Sequence, residues 1–326
     1  MNIYGFSVKL SHLSPIRLDN DIIMIIHNIY GLLCAFRFSD SKLNLFATLR
    51  TTGVIHMEQD LLIDGNILFS SHELLITTNG TSTFVLFASS LSGDHNITVD
   101  GFVQTSKSQI VFVDRTNHCL RVLDRLTSSI FKLVGDCKRS GFRDGTDPIF
   151  SHPLSVIQDN RTPCLLYVTD QHNGAVRMIT TSLLPRVTTL LTGKIYYGIT
   201  QDSTGVYLYI TYHRGVERYN LLTNTSVGIF SSGKEFGESL MYDSNFRGAF
   251  NIVLLNDLII LSPYVENSLG VIDTQSGTIT LICSGVAGHK AGNLSACELD
   301  LPLALLEVDG DIYVGDRKGI SVIKGL

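Results

Sequence analysis

A short apolar run that ends in a polar turn recurs along the chain. It reads DIIMIIHN from Asp21, ELLITTNG from Glu73, QIVFVDRTN from Gln109, LLYVTDQHN from Leu165, YLYITYHRG from Tyr207, DLIILSPYVEN from Asp257 and DIYVGDRKG from Asp311. The starts lie 36 to 56 residues apart. Most runs have the same flanks. A strand-like segment precedes the run, as in ITVDGFVQT, PLSVIQD, YYGITQD and LALLEVDG. An alternating segment follows, as in CLRVLDR, AVRMITT, GVERYNL, LGVIDTQ and GISVIKG, and then a fourth, as in IFKLVG, VTTLLTG, SVGIFSSG and TITLICSG. Period-two alternation with β-branched residues and short polar turns predicts strands, and sustained helical periodicity is nearly absent.

Units of four strands at variable spacing predict an all-β propeller of four-stranded antiparallel blades rather than a solenoid of fixed period. Seven runs favour seven blades. Six is the alternative, because the first two repeats are degenerate. After GISVIKGL no residues are left for a fourth strand, and NIYGFSVKL at the start has no blade of its own. The N-terminal strand is therefore expected to close the last blade and protect its edge. One domain over 1–326 follows, since a propeller adds blades to a single ring.

Composition narrows the setting. Hydrophobic residues at 44% supply a core, and charged residues at 17% are few. The net charge of −5 disfavours a nucleic-acid partner, which a basic face would grip. The most apolar stretch, residues 22–38, is broken by His27, Asn28 and Arg37 and is too short for the roughly 30 Å of hydrocarbon, so no membrane insertion is expected of this segment. The start MNIYGFSVKL has no basic region followed by an apolar one, unlike a signal peptide. Yet there are six cysteines in no CxxC pairing, and N-x-[ST] acceptors at Asn79, Asn96, Asn224 and Asn293, with a weaker one at Asn160 before Pro163. These favour an extracellular or cell-surface location. An extracellular chain without a leader implies a longer precursor or a lost leader.

Residues 109–180 resemble NHL repeats, as found in animal secreted or cell-surface proteins. The pattern is a strand ending in Asp, a turn with Asn, then an apolar residue and Arg: Asp114, Asn117, Leu120, Arg121, and again Asp170, Asn173, Val176, Arg177. The linker between them resembles the family's G-F-x-D-G…F…P through Gly141, Phe142, Asp144, Gly145, Phe150 and Pro153. Read from their chemistry, the Asp, Asn and Arg residues are turn-forming: the carboxylate accepts from the following turn and Asn tolerates a left-handed conformation. Cys119 and Cys137 bracket two strands joined by a hairpin, and the resembling extracellular repeats often carry cysteines there. Cys283 and Cys297 flank a glycine-rich linker and form the second expected pair. Cys34 and Cys164 are left free.

No catalytic, cofactor or metal residue is assigned. HxH, HExxH, GxSxG and phosphate-loop patterns are absent. His118, His172 and His213 sit in related turns and meet only if those turns face the central channel. The leading reading is a binding module that presents a propeller face to a protein or glycan partner, with residues 53–64 and 234–245 as candidate contacts. Two alternatives stand. One is a metal-dependent enzyme, since the resemblance extends to lactonases and an amidating lyase that bind calcium or zinc. The other is a scaffold within a larger surface protein.

Overall fold

The computed structural model describes residues 60, 97–213, 215–231, 249–263, 267–276, 278–288, 290, 294–324 and 326, together with strand segments between residues 2 and 88. Five four-stranded antiparallel sheets follow one another, within residues 56–88, 102–134, 153–192, 196–231 and 249–285. We call them the first to fifth blades. In each, the strands lie side by side in chain order. The first strand of each blade packs against the first strand of the next, so these strands line the inside of a ring. Ala304–Val308 occupies the next inner position and packs back against His56–Gln59, which closes the ring.

Ala304–Val308 belongs to a sheet of mixed origin. It continues through Asp311–Gly315 and Ile320–Ile323, and then pairs antiparallel with Asn44–Leu49, which in turn pairs with Leu32–Leu33. Among the described residues neither seven blades nor six uniform ones are found. Five four-stranded blades and this five-stranded sheet make up the ring. One run accounts for the lower count, and a second marks a different strand from the one expected. The Asp21 run forms Asp21–Ile23, which among the described residues pairs with Ile16–Leu18 in a separate two-stranded sheet. The Glu73 run is the third strand of the first blade, Leu74–Thr78. The second strand is Ile67–Ser71, and the two have the same alternation. Closure of the last sheet by an N-terminal segment occurs, but with Asn44–Leu49. The expected segment, residues 1–10, instead holds Asn2–Ile3 paired with Phe6–Ser7.

The core lies between blades. Val103, Val111, Val113, Leu120 and Val122 of the second blade pack with Val156, Leu166, Val168, Ile179 and Val187 of the third in one cluster. Burying each such side chain stabilises by about 1.5–3 kcal/mol. Three inner strands carry a register shift, at Pro153/Val156, Tyr196/Ile199 and Ala249/Asn251. Each shift frees a backbone N–H, and a hydroxyl of the second strand accepts it. Thr169 Oγ1 accepts from Ser155 N at 3.0 Å, Thr211 Oγ1 from Gly198 N at 2.8 Å, and Ser262 Oγ from Asn251 N at 3.1 Å. Some of these hydroxyls also donate onward to the next inner strand. Thr169 reaches Tyr197 O at 2.7 Å and Ser262 reaches Leu303 O at 3.1 Å, while Ser70 of the first blade reaches Asp100 O at 2.8 Å. One buried Ser or Thr thus holds a bulge and ties two blades. The inner strands approach closely: a Cβ on Gly101 would lie 2.6 Å from Leu154 O, so only glycine fits there.

Two disulfides brace the outer edges. Cys119–Cys137 joins the third strand of the second blade to the linker after its fourth strand, and Cys283–Cys297 ties the end of the fifth blade to the linker that follows. Cys164 is an exposed free thiol, and Cys34 lies outside the described residues.

Candidate functional site

Antiparallel order brings the start of each inner strand and the turn between second and third strands to the same end of the ring. The sequence Asp–x–x–Asn shapes these turns. Asp114 accepts from Thr98 N at 3.1 Å, from Asn117 Nδ2 at 3.0 Å and from Arg121 Nε at 2.7 Å. Asp170 accepts from Ser151 N, Asn173 Nδ2 and Arg177 Nη1, each at 2.7 Å. Gly174 follows with a φ of +57°, which ends the turn in the left-handed region. Arg177 is fully buried between the rings of Phe142 and Phe150, and it also binds Asp144 at 2.6 Å and Arg143 O at 2.8 Å. The linker residues Phe142, Asp144 and Phe150 therefore build the arginine's pocket, and Gly141 O accepts from Asn173 Nδ2 at 2.7 Å. All six Asp, Asn and Arg side chains contact other protein groups, and these positions shape the scaffold.

Those turns carry a histidine cluster. His152, just before the inner strand of the third blade, lies between His118 and His172, with ring centroids 4.4 Å and 3.9 Å away. His152 N donates to His118 Nδ1 at 3.2 Å, and His172 N donates to Ser151 O at 3.0 Å. His118 and His152 both hold left-handed φ values, 61° and 49°. Non-glycine residues there are uncommon and gather at functional sites. Arg115 joins from the same turn as His118, and its Nη2 donates to the buried Gln171 Oε1 at 2.9 Å. Burial lowers the pKa of His152 to about 4, assisted by His172, His118 and Arg115. Burial also lowers His118, against the pull of Asp114. His172 is exposed.

The fourth blade departs from the pattern next door. Glu217 holds the register position of Arg121 and Arg177, and Tyr212 that of Asp114 and Asp170. The charge is reversed and the cation comes from the linker. Lys194 pairs with the buried Glu217 carboxylate and lies 4.1 Å over the Tyr212 ring. Burial and the adjacent Glu217 push the Tyr196 hydroxyl upward. His213 N donates to Ile195 O at 3.1 Å, the counterpart of the His172–Ser151 bond one blade earlier.

Of the three turn histidines expected to approach each other, His118 and His172 flank one ring, whereas His213 sits a blade away. Sequence reasoning missed His152, which lies in a linker and joins the cluster only through blade packing. Two left-handed residues in facing loops have no sequence signal unless they are glycine or asparagine. Among the described residues no group of three or more His, Cys, Asp and Glu is arranged to hold a metal ion, and no helix is long and apolar enough to cross a membrane.

The opposite end is built differently. Arg125 grips Asp60 at 2.6 and 2.9 Å, both buried, across the first and second blades. Leu126, Leu183, Leu184 and Leu222 protrude from hairpin tips there. Asn224, with φ 55°, is exposed at one such tip, and Tyr219 Oη donates to its Oδ1 at 3.1 Å. Asn160 donates through Nδ2 to Asp202 O at 2.9 Å. Asn79, Asn96 and Asn293 lie outside the described residues, as do most of 53–64 and all of 234–245.

The fold is similar to that of several solved structures. An auxiliary nutrient binding protein from Bacteroides thetaiotaomicron VPI-5482 is 13% identical with a TM-score of 0.64, over 93% of this chain and 83% of that one. A streptogramin B lyase is 16% identical with a TM-score of 0.57, over 86% and 97%. A chain of a nidogen/laminin complex is 9% identical with a TM-score of 0.55, over 76% and 84%. At such identities the likeness is one of fold: the chain is a β-propeller. No described protein family and no curated protein sequence matches it.

Proposed function

We propose that the chain is an extracellular binding module, an NHL-type propeller over 1–326, whose ligand face is the end carrying His118, His152 and His172. The single observation behind this is the cluster itself: imidazoles stacked on strained backbone, beside Arg115, reaching an exposed ring. The Asp–Asn–Arg pattern supports the NHL character. Two disulfides support an oxidising compartment, where such bonds persist. Structurally similar propellers from two Bacteroides species are described as auxiliary nutrient binding proteins, which favours a binding role over a purely structural one. The partner is a protein or glycan, and a rigid ring with loops at one end suits either.

Glycan arrays and a panel of purified extracellular-matrix proteins test this. The expected result is a binder whose affinity falls at least about tenfold in His172→Ala or Ile195→Ser, both exposed at this end, and holds in Leu126→Ser at the other. Loss in Leu126→Ser alone would refute the chosen face. Silence across both panels would refute the binding role.

A further inference from the structure

We propose that Arg115 and the imidazoles of His118, His152 and His172 form a site for an oxyanion: a carboxylate, sulfate or phosphate group carried by the ligand. The proposal rests on the reading of this end as the ligand face, and it names the chemistry that face would take.

Two orphaned atoms point to it. Arg115 Nε and His152 Nδ1 are buried and have no hydrogen-bond partner. A buried polar group left unpaired costs about 1–3 kcal/mol, so two in one cluster call for an acceptor that both can use. An oxyanion has several lone pairs and meets that need. The guanidinium is already oriented, because its Nη2 is fixed on Gln171 Oε1. Arginine presents its donors in a rigid fork, which suits carboxylate, sulfate and phosphate oxygens.

The electrostatics agree. The charged groups acting on His152 are His172, His118 and Arg115, with no carboxylate among them. Asp114 faces His118, but Arg121, Asn117 and Thr98 already occupy it. The cluster thus gathers four groups that are cationic or become so, and His152 at its centre is acted on by cations alone. A metal ion fits poorly. His118 Nδ1 already accepts from His152 N, and the His152 and His172 rings are tilted by 31° in a stack rather than converging on one point. An oxyanion also favours imidazolium, so binding and protonation are linked and affinity rises as pH falls.

Histidine ring resonances, followed by NMR from about pH 8 to about pH 2.5 so that the range passes through the His152 midpoint, test this in the full chain, in sodium chloride and in sodium sulfate at equal ionic strength. Sulfate is expected to raise the His152 midpoint by about one unit, a roughly tenfold coupling. Arg115→Gln is expected to abolish that shift, while the midpoint in chloride itself moves up because one neighbouring cation is gone. Identical titrations in the two salts would overturn the proposal, as would a sulfate shift that survives Arg115→Gln. If Arg115→Gln fails to fold, the exposed His172→Gln gives the same readout: the sulfate shift shrinks, or the site is not this cluster. A partner that binds this end equally well in wild type and Arg115→Gln would sink the oxyanion site and leave the binding face standing.

Discussion

Arg177 and Arg121 hold the same position in neighbouring blades, yet their removal is expected to cost very different amounts. Arg177 has no exposed surface, and its partner Asp170 has none either. Its guanidinium makes bonds to Asp170, Asp144 and the carbonyl of Arg143, and lies 4.7 and 5.1 Å from two phenyl ring centroids. Arg177→Met keeps the volume but leaves the Asp170 carboxylate buried without its cation. Breaking a buried pair in this way costs about 3–5 kcal/mol. Arg121 keeps 14% of its side chain exposed, so water can replace part of what it gives Asp114. Arg121→Met is expected to cost about 1–2 kcal/mol. Urea unfolding followed by far-ultraviolet circular dichroism or tyrosine fluorescence measures both, since the chain has 12 tyrosines and no tryptophan. Adding Asp170→Asn to Arg177→Met is expected to recover part of the loss by removing the stranded charge. Equal costs for the two arginines, or no recovery in the double variant, would refute the claim that burial sets the magnitude.

Thr169→Val removes a buried hydroxyl that holds Ser155 N and Tyr197 O, and is expected to cost about 1–3 kcal/mol in the same urea assay. Reduction of Cys119–Cys137, or its replacement by serines, opens a loop of 18 residues and is expected to cost about 3 kcal/mol, seen as a lower urea midpoint. His152 titrates near 4 when folded and near 6.5 when unfolded, so the unfolded chain binds more protons between these values. Stability should therefore fall as pH drops from about 6.5 towards about 4, and His152→Gln should flatten that slope; an unchanged slope would assign it to other groups.

The parts of the fold that sequence reading reached are those whose signal is local. Second strands in the second to fourth blades announce themselves by residues buried on both faces, and in two of them by an Asp that must cap the next turn. The first blade has no such Asp: Ser71 ends its second strand, and its third strand, LLITT, carries the same run of apolar then hydroxyl residues as the second, ILFSS. Closure falls to Asn44–Leu49 and not to the first ten residues, because an edge strand is defined by its distant partner and not by its own pattern. Glu217 shows the same limit. It reads as an ordinary strand glutamate until the register sets it where two arginines stand, and Lys194 becomes its counter-ion only across a linker. His152 is legible only once two blades are packed.

The closing sheet also sets a timetable. Ala47 pairs with Ile320, so roughly 270 residues are synthesised between the two halves of one ladder. Until the last strands appear, Asn44–Leu49 has no partner on that side, and the blades behind it form an open arc with two unsealed ends. Such edges recruit other chains. The nascent ring stays aggregation-prone until Ile320–Ile323 emerges, and the pairing of that strand with Asn44–Leu49 ends the hazard.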